Sequence, residues 1–129
     1  NYDVDLVLIP EVSSAEAGLG LIGDDKNFVA VMINDNRLVL RVVQGEKETV
    51  VEEKRIGLSK RLHLRAEVRN GKDISFYHSA NGKDYALLND SPVDGSFLPP
   101  WDRAVRVALI ARGERTQKAV FDAFVLKNN

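Results

Sequence analysis

Four residues outside the predicted core combine ring faces with strong hydrogen-bond donors, namely Arg41, Arg65, Tyr77 and Trp101. An aromatic side chain offers an apolar face, and a guanidinium donates a planar fork of hydrogen bonds. Strand alternation puts Arg65 and Tyr77 on the polar side of neighbouring strands, beside His63. The four residues are therefore a candidate carbohydrate-binding site, with Arg41 and the Trp101 loop able to border the surface of the other two.

Each aromatic residue of this candidate site also has a structural interpretation. Trp101 follows Pro99 and Pro100 and would serve as a hydrophobic plug at one end of the core, which is the role that the sequence favours. Tyr77 would pack against a neighbouring domain or strand, and the sequence does not separate this role from ligand contact.

Carboxylates are numerous, and a pair of them can hydrolyse a glycosidic bond. Four glutamates, Glu46, Glu48, Glu52 and Glu53, lie within one strand and its turn, interleaved with lysines. Charged side chains of this kind are typical of an exposed edge strand. We therefore predict a solvated edge at this position and no catalytic carboxylate.

Asp122 and the two histidines are the remaining candidates for chemistry. Asp122 lies between Phe121 and Phe124 in a predicted strand. We favour a buried, hydrogen-bonded aspartate over a calcium ligand, because calcium needs several oxygen ligands and no others can be placed. His63 and His78 show no metal-binding or catalytic spacing, so we predict that His78 packs at the core edge. No catalytic residue, metal or cofactor is expected in this chain.

The elements that position Arg65 and Tyr77 are three antiparallel strands between residues 62 and 88. The first alternates strictly, with its apolar residues on one face and its polar residues on the other, which indicates a strand that is half buried. Parity then limits the loops, because directly opposed residues must share a face. A three-residue loop of residues 69–71 would pair Leu64 with Phe76, and a four-residue loop of residues 79–82 would pair Phe76 with Tyr85. Each loop ends in glycine, where positive φ is needed.

The rest of the chain contributes further strands, giving nine or ten in total with turn signals between most of them. Residues 28–33 and 105–111 are apolar on both faces and need cover on both sides. The glycines of residues 18–22 are expected where another backbone or a bulky side chain comes close. These features predict a single all-β domain over residues 1–129, a two-sheet antiparallel sandwich. Its predicted core includes six residues: Leu64, Phe76, Tyr85, Val107, Leu109 and Phe121.

Composition limits the classes of partner. The 129 residues contain 18 basic and 19 acidic side chains, so the chain lacks the basic excess of a nucleic-acid-binding surface. There is no cysteine, which excludes a disulfide framework and a thiolate zinc site but does not fix the compartment. The longest apolar run is too short to cross a bilayer. We therefore expect neither nucleic acid nor membrane as a partner.

Several segments together resemble one known family. They are AEAGLGLIGDDKNFVAVMI at residues 15–33, RAEVRNGKDISFYHSANGKDYALL at 65–88, SFLPPWDRAVRVALIARG at 96–113 and AVFDAFVL at 119–126. Their order resembles the concanavalin A-like β-sandwich, a jelly roll, on the C-terminal side of family 43 glycoside hydrolases, including β-xylosidases. Two positions depart from that family: Tyr85 stands where tryptophan is common, and His78 replaces a frequent aromatic residue.

The resemblance implies a non-catalytic accessory module, excised from or related to a larger glycoside hydrolase. The catalytic carboxylates of such enzymes lie in a separate β-propeller, which this module would brace, and a xylan-type oligosaccharide becomes the expected glycan. It also favours a secreted or periplasmic setting, with a cytoplasmic one left open. Two alternatives remain: a structural or protein-interaction sandwich without sugar affinity, and a stand-alone glycanase using the concave face.

Overall fold

The computed structural model describes residues 1–10, 16–57, 60–98, 106–112 and 121–128, with only the backbone described at 106–108, 111–112, 122 and 128. The strands in these ranges are β1 (Tyr2–Leu8), β2 (Glu16–Asp24), β3 (Asn27–Asn34), β4 (Arg37–Gln44), β5 (Lys47–Arg55), β6 (Leu62–Arg69), β7 (Asp73–Ser79), β8 (Ala86–Leu87), β9 (Val93–Asp94), β10 (Arg106–Arg112) and β11 (Phe121–Asn128). A short 3-10 helix, Gly95–Phe97, follows β9. None of the described residues forms a helix long and apolar enough to cross a membrane.

The strands form two sheets in which neighbouring strands are antiparallel. Sheet I has the order β11-β1-β6-β7-β8, with β9 also paired to β7, and sheet II has the order β10-β2-β3-β4-β5. Contacts of β2 with β1 and β6 join the two sheets face to face. The predicted all-β sandwich is confirmed.

The core lies between the inner faces of the two sheets. Strand β6 alternates as predicted, with Leu62, Leu64, Ala66 and Val68 buried. Of the six predicted core residues, Leu64 and Phe76 are fully buried, and Phe121 packs partly against the core. Tyr85 and Leu109 were predicted wrongly, because Tyr85 is only half-buried and Leu109 is exposed. The side chain of Val107 lies outside the described part.

The hairpin from β6 to β7 keeps the predicted faces but shifts the register. Ala66, and not Leu64, lies opposite Phe76, which is a displacement of two residues along the strand. The loop has the predicted three residues, but it begins at Asn70 because Arg69 remains in the strand opposite Asp73. Asn70 and Gly71 both have positive φ (55° and 70°), so the Asn-Gly pair forms the turn with Lys72 as the third loop residue. An even shift preserves parity, and the face assignments therefore survive.

The connection from β7 to β8 differs more from its prediction. Gly82 has the expected positive φ of 77°, but the connection occupies residues 80–85 and β8 is only two residues long. The Ser79 hydroxyl accepts hydrogen bonds from the backbone N–H groups of Asn81 and Gly82. The side-chain oxygen of Asn81 accepts hydrogen bonds from the backbone N–H groups of Lys83 and Asp84. These side chains satisfy the loop backbone locally, so the chain does not return at once to the strand ladder.

The resulting shift in register is odd, and it reverses the face of every residue in this third strand. Leu87 lies opposite Tyr77 and is exposed, whereas the predicted pairing of Phe76 with Tyr85 would place Leu87, two residues further on, on the inner face. Tyr85 likewise leaves the core for the outer side of sheet I, where its ring meets Arg65.

Strand β3 is buried on both faces, as its composition predicts. Val29 and Val31 contribute to the core, while Ala30 and Met32 are buried on the other side. The neighbouring β2 passes close to this strand at Gly18, where an added Cβ would collide with the Val31 carbonyl oxygen. The predicted close approach is confirmed, by backbone at Gly18 and by the Ile110 side chain at Gly20.

Candidate functional site

The outer face of sheet I brings Arg65 and Tyr77 together. They are directly opposed in β6 and β7, as alternation predicts. They lie in one transverse row that crosses the whole sheet, formed by Leu87, Tyr77, Arg65, Asp5 and Val125. We call this row, together with Tyr85, the Arg65 row. It contains two rings, one arginine and one carboxylate, of which Tyr85 lies in the connection before β8 and the other three lie on adjacent strands.

Arg65 is held by two contacts. Its Nε donates to Asp5 Oδ1 at 2.6 Å and its Nη2 donates to Asp5 Oδ2 at 3.3 Å, a bidentate ion pair. The guanidinium carbon also lies 4.1 Å from the centroid of the Tyr85 ring, a cation–π contact. The hydrogen bond to Asp5 raises the pKa of Arg65. Nη1 has no partner in the described part of the chain, so a fixed guanidinium still offers donors to a ligand.

The two tyrosines of this face keep their protons. Burial raises the pKa of Tyr77, and the charge of Glu67 and a hydrogen bond to it raise it further. Burial also raises the pKa of Tyr85, followed by the charge of Asp5. Both phenols therefore remain neutral and combine a ring face with a hydroxyl at physiological pH.

A second group of charges lies beside the Arg65 row. Asp3 of β1 and Glu67 of β6 are directly opposed, and Arg69 lies 2.7 Å from Asp3 and 3.8 Å from Glu67. The hydrogen bond to Asp3 raises the pKa of Arg69. The two carboxylates thus belong to a salt-bridge cluster with Arg69.

Arg41 belongs to a different surface. It lies on the outer face of sheet II, between Leu40 and Val42, whose side chains face the core. Its Nη1 donates to Glu16, and its Nε lies 3.7 Å from Glu48. Arg41 and the Arg65 row are therefore on opposite sides of the sandwich and do not form one site. Trp101 lies outside the described residues.

The two other members of the Arg65 row with a polar group, Asp5 and Tyr85, were missed by sequence reasoning. Asp5 alternates with the buried Val4 and Leu6, so its outward position was readable, but its place beside Arg65 depends on the long-range pairing of β1 with β6. Tyr85 was assigned to the core because the length of the preceding loop was predicted too short.

No metal centre is found in the described part of the chain. It contains no group of three or more histidine, aspartate or glutamate side chains placed to hold an ion. The side chain of Asp122 lies outside the described residues. His78 occupies the inner face opposite Leu64 and is half-buried, as predicted for a histidine at the core edge.

Comparisons with known proteins agree on one architecture. A family model described as the β-xylosidase C-terminal concanavalin A-like domain matches residues 1–127. None of the curated proteins matches.

Among solved structures, the GH43 protein BlXynB from Bacillus licheniformis superposes with a TM-score of 0.78 at 20% identity, covering 98% of this chain and 27% of that one. Xylan β-1,4-xylosidase from Bacillus halodurans C-125 gives a TM-score of 0.78 at 19% identity, with coverage of 98% and 27%. The carbohydrate-binding module CBM66 from Bacillus subtilis gives a TM-score of 0.58 at 14% identity, with coverage of 98% and 74%. This chain thus spans about a quarter of the length of the first two proteins.

Proposed function

This chain belongs to the family of β-xylosidase C-terminal concanavalin A-like domains, and from that premise we propose that it is a non-catalytic accessory module that braces the catalytic propeller domain of a family 43 glycoside hydrolase. The observation that carries the proposal is an apolar edge that the described residues leave exposed on one side of the sandwich.

This edge is formed mainly by β11, the outermost strand of sheet I. Phe124, Val125 and Leu126 are consecutive and are 43%, 45% and 51% exposed, so both faces of the strand present apolar surface to solvent. Leu109 of β10, the outermost strand of sheet II, is also exposed. Because β1 contacts β2 across the sandwich, β10 and β11 border the same side. We call it the β10–β11 side.

An uncovered apolar edge strand is a liability for an isolated domain, since it invites pairing and aggregation. A neighbouring domain would remove that liability by burying the strand. The structurally similar GH43 proteins are long enough to supply one, because this chain matches only 27% of their length. The edge is therefore the surface that we assign to the catalytic domain.

The test begins with the coding sequence adjoining this chain. A propeller-encoding segment there is expected, and a gene that encodes this sandwich alone would refute the proposal. The gene product and the sandwich expressed alone are then compared by hydrogen–deuterium exchange. We expect slower amide exchange at β10 and β11 in the longer protein.

Two variants separate docking from general stability. In the longer protein, Phe124→Ser combined with Leu126→Ser should restore fast exchange at the β10–β11 side. Val50→Ser serves as the matched control, because Val50 is an equally exposed apolar residue on β5, the opposite edge of sheet II. Protection that is unchanged by the double substitution would show that another surface docks.

The Arg65 row favours a second role, weak contact with a xylan-type oligosaccharide. Tyr77 and Tyr85 supply rings, and Arg65 supplies oriented donors, on the outer face of sheet I, where Val125 is the one residue of the row that also belongs to the β10–β11 side. Few exposed contacts support only millimolar affinity, about 4 kcal/mol. Chemical-shift titration of the isolated sandwich with xylo-oligosaccharides tests this role. Without shifts on this face, the module is structural only.

A further inference from the structure

A cleft opens between the two sheets on the side opposite the β10–β11 side. It has a volume of about 420 Å³ and lies where the end of β5 faces the end of β7 and β8. Its apolar lining includes Ile56, Leu62 and Ala86, and its polar lining includes Lys54, Arg55 and His78. The volume is large enough for a monosaccharide-sized ligand, and the lining combines apolar surface with positive charge.

The positive charge has no internal counterpart. Lys54 pairs in register with the buried Leu38, so its side chain starts from the inner face of β5 and enters the cleft. Neither Lys54 nor Arg55 forms an ion pair or side-chain hydrogen bond in the described part of the chain. Asp84 is the one carboxylate among the described residues of the lining, and its Oδ2 already accepts a hydrogen bond from Asn81 at 2.9 Å. The cleft therefore suits a ligand with an anionic group.

His78 adds a second requirement. Its Nε2 is buried and has no hydrogen-bond partner among the residues that the structure describes, which is unusual for a buried polar atom. Burial lowers the pKa of His78, and the charge of Lys54 lowers it further, so the imidazole is neutral at neutral pH. In a neutral imidazole one ring nitrogen donates a hydrogen bond and the other accepts one, and a hydroxyl group can be the partner in either case. The ligand should therefore carry a hydroxyl as well as an anion.

We propose that this cleft is a binding site for a uronic acid residue of a glycan. The carboxylate would pair with Lys54, a ring hydroxyl would satisfy His78, and the C–H face of the sugar would cover Ile56 and Leu62. The site is separate from both the Arg65 row and the β10–β11 side. It does not depend on the proposed bracing role, so the two can fail independently.

The test is a chemical-shift titration of the ¹⁵N-labelled chain, at low salt, with glucuronate, glucose and acetate in separate arms. We expect saturable shifts at residues 54–57, 78–80 and 84–86 with glucuronate, and much smaller shifts with the other two. Equal responses to glucuronate and glucose would overturn the assignment to an acidic sugar. An equal response to acetate would show a site for anions only, and the proposal would be wrong. The proposal also fails if glucuronate shifts no residue of the cleft.

Matched variants assign the contacts. Lys54→Gln should weaken glucuronate binding about fivefold, as expected for one partly solvated charge pair. Lys47→Gln, at the other end of the same strand, should leave the affinity unchanged. His78→Phe keeps an aromatic ring at the core edge and should remove the preference for glucuronate over acetate. A Lys54→Gln chain that binds glucuronate as tightly as the parent would refute the proposed carboxylate contact. An unchanged spectrum away from the cleft shows that this variant is folded.

Discussion

The side chain of Asn89 takes the place of a missing stretch of β-strand. Strand β8 ends at Leu87, and after it Leu88 N donates to the Phe76 carbonyl at 2.8 Å. Asn89, which is buried, then accepts a hydrogen bond from Phe76 N–H at 2.8 Å and donates to the carbonyls of Ile74 at 3.1 Å and Ser91 at 2.9 Å. One amide thereby binds the backbone of β7 between the short strands β8, which pairs with Tyr77 and His78, and β9, which pairs with Asp73 and Ile74.

Asn89→Ala removes all three hydrogen bonds, and we expect it to lower the free energy of unfolding substantially. Each bond contributes about 1 kcal/mol net, and a buried group left without a partner costs about 1–3 kcal/mol. The Phe76 and Ile74 groups are buried, whereas the bond to Ser91 is partly exposed and water can replace it. The expected loss is therefore about 3–4 kcal/mol, a large part of the stability of a small domain.

Urea denaturation at 25 °C, followed by circular dichroism, measures this loss. The midpoint should fall while the slope with denaturant stays constant, because the surface exposed on unfolding is unchanged. Asn34→Ala is the control, since Asn34 is exposed at the end of β3 and should change stability by less than about 0.5 kcal/mol. If Asn89→Ala lowers the free energy of unfolding by less than about 1 kcal/mol, the three hydrogen bonds of this amide do not stabilise the fold as argued.

Other predictions follow from the same structure. Phe76→Ala should lower the free energy of unfolding by about 3–5 kcal/mol, because the ring is fully buried, and chemical denaturation would reveal a smaller cost if the site collapses. Burial holds the pKa of His78 in the folded state below its ordinary value of 6.5, so protonation of His78 opposes folding. The contribution of neutral His78 to the free energy of unfolding is therefore fully present above pH 6.5, and it is lost as the pH falls through the pKa of the folded state. Unfolding measured against pH should show the loss in His63→Gln but not in His78→Gln. Aryl xylosides, aryl arabinosides and xylan should release nothing above buffer with this chain, and turnover abolished by one carboxylate substitution would contradict the non-catalytic assignment. Tyr77→Ala should abolish the xylo-oligosaccharide shifts while the fold is retained in the spectrum.

The faces of the strands were predictable because the side-chain period of a strand is two, whatever its neighbours are. The alternation of β6 placed Arg65 and Leu64 on opposite sides without knowledge of the register. The register of two paired strands depends on the length of the loop between them. In the connection from β7 to β8, that length is set by side-chain hydrogen bonds. Ser79 and Asn81 bind the backbone of residues 81–84, which lengthens the connection and moves Tyr85 to the outer face. In the sequence, the residues Ser, Asn and Gly indicate that a turn is present, but they do not indicate how long the connection is.

The distance over which a site is assembled decides how far a sequence can define it. Arg65 and Tyr77 come from strands joined by one short hairpin, so alternation and parity suffice to place them side by side. Arg41 has the same outward alternation, but the separation of its sheet from that of Arg65 depends on pairings between distant segments, such as β10 with β2 in one sheet and β1 with β6 in the other. The alternation of a strand predicts which side of that strand a residue occupies, but it does not predict which of the two sheets the strand joins. By the same argument the cleft between β5 and β7 was invisible in the sequence, because Lys54 and His78 meet only when the two sheets pack.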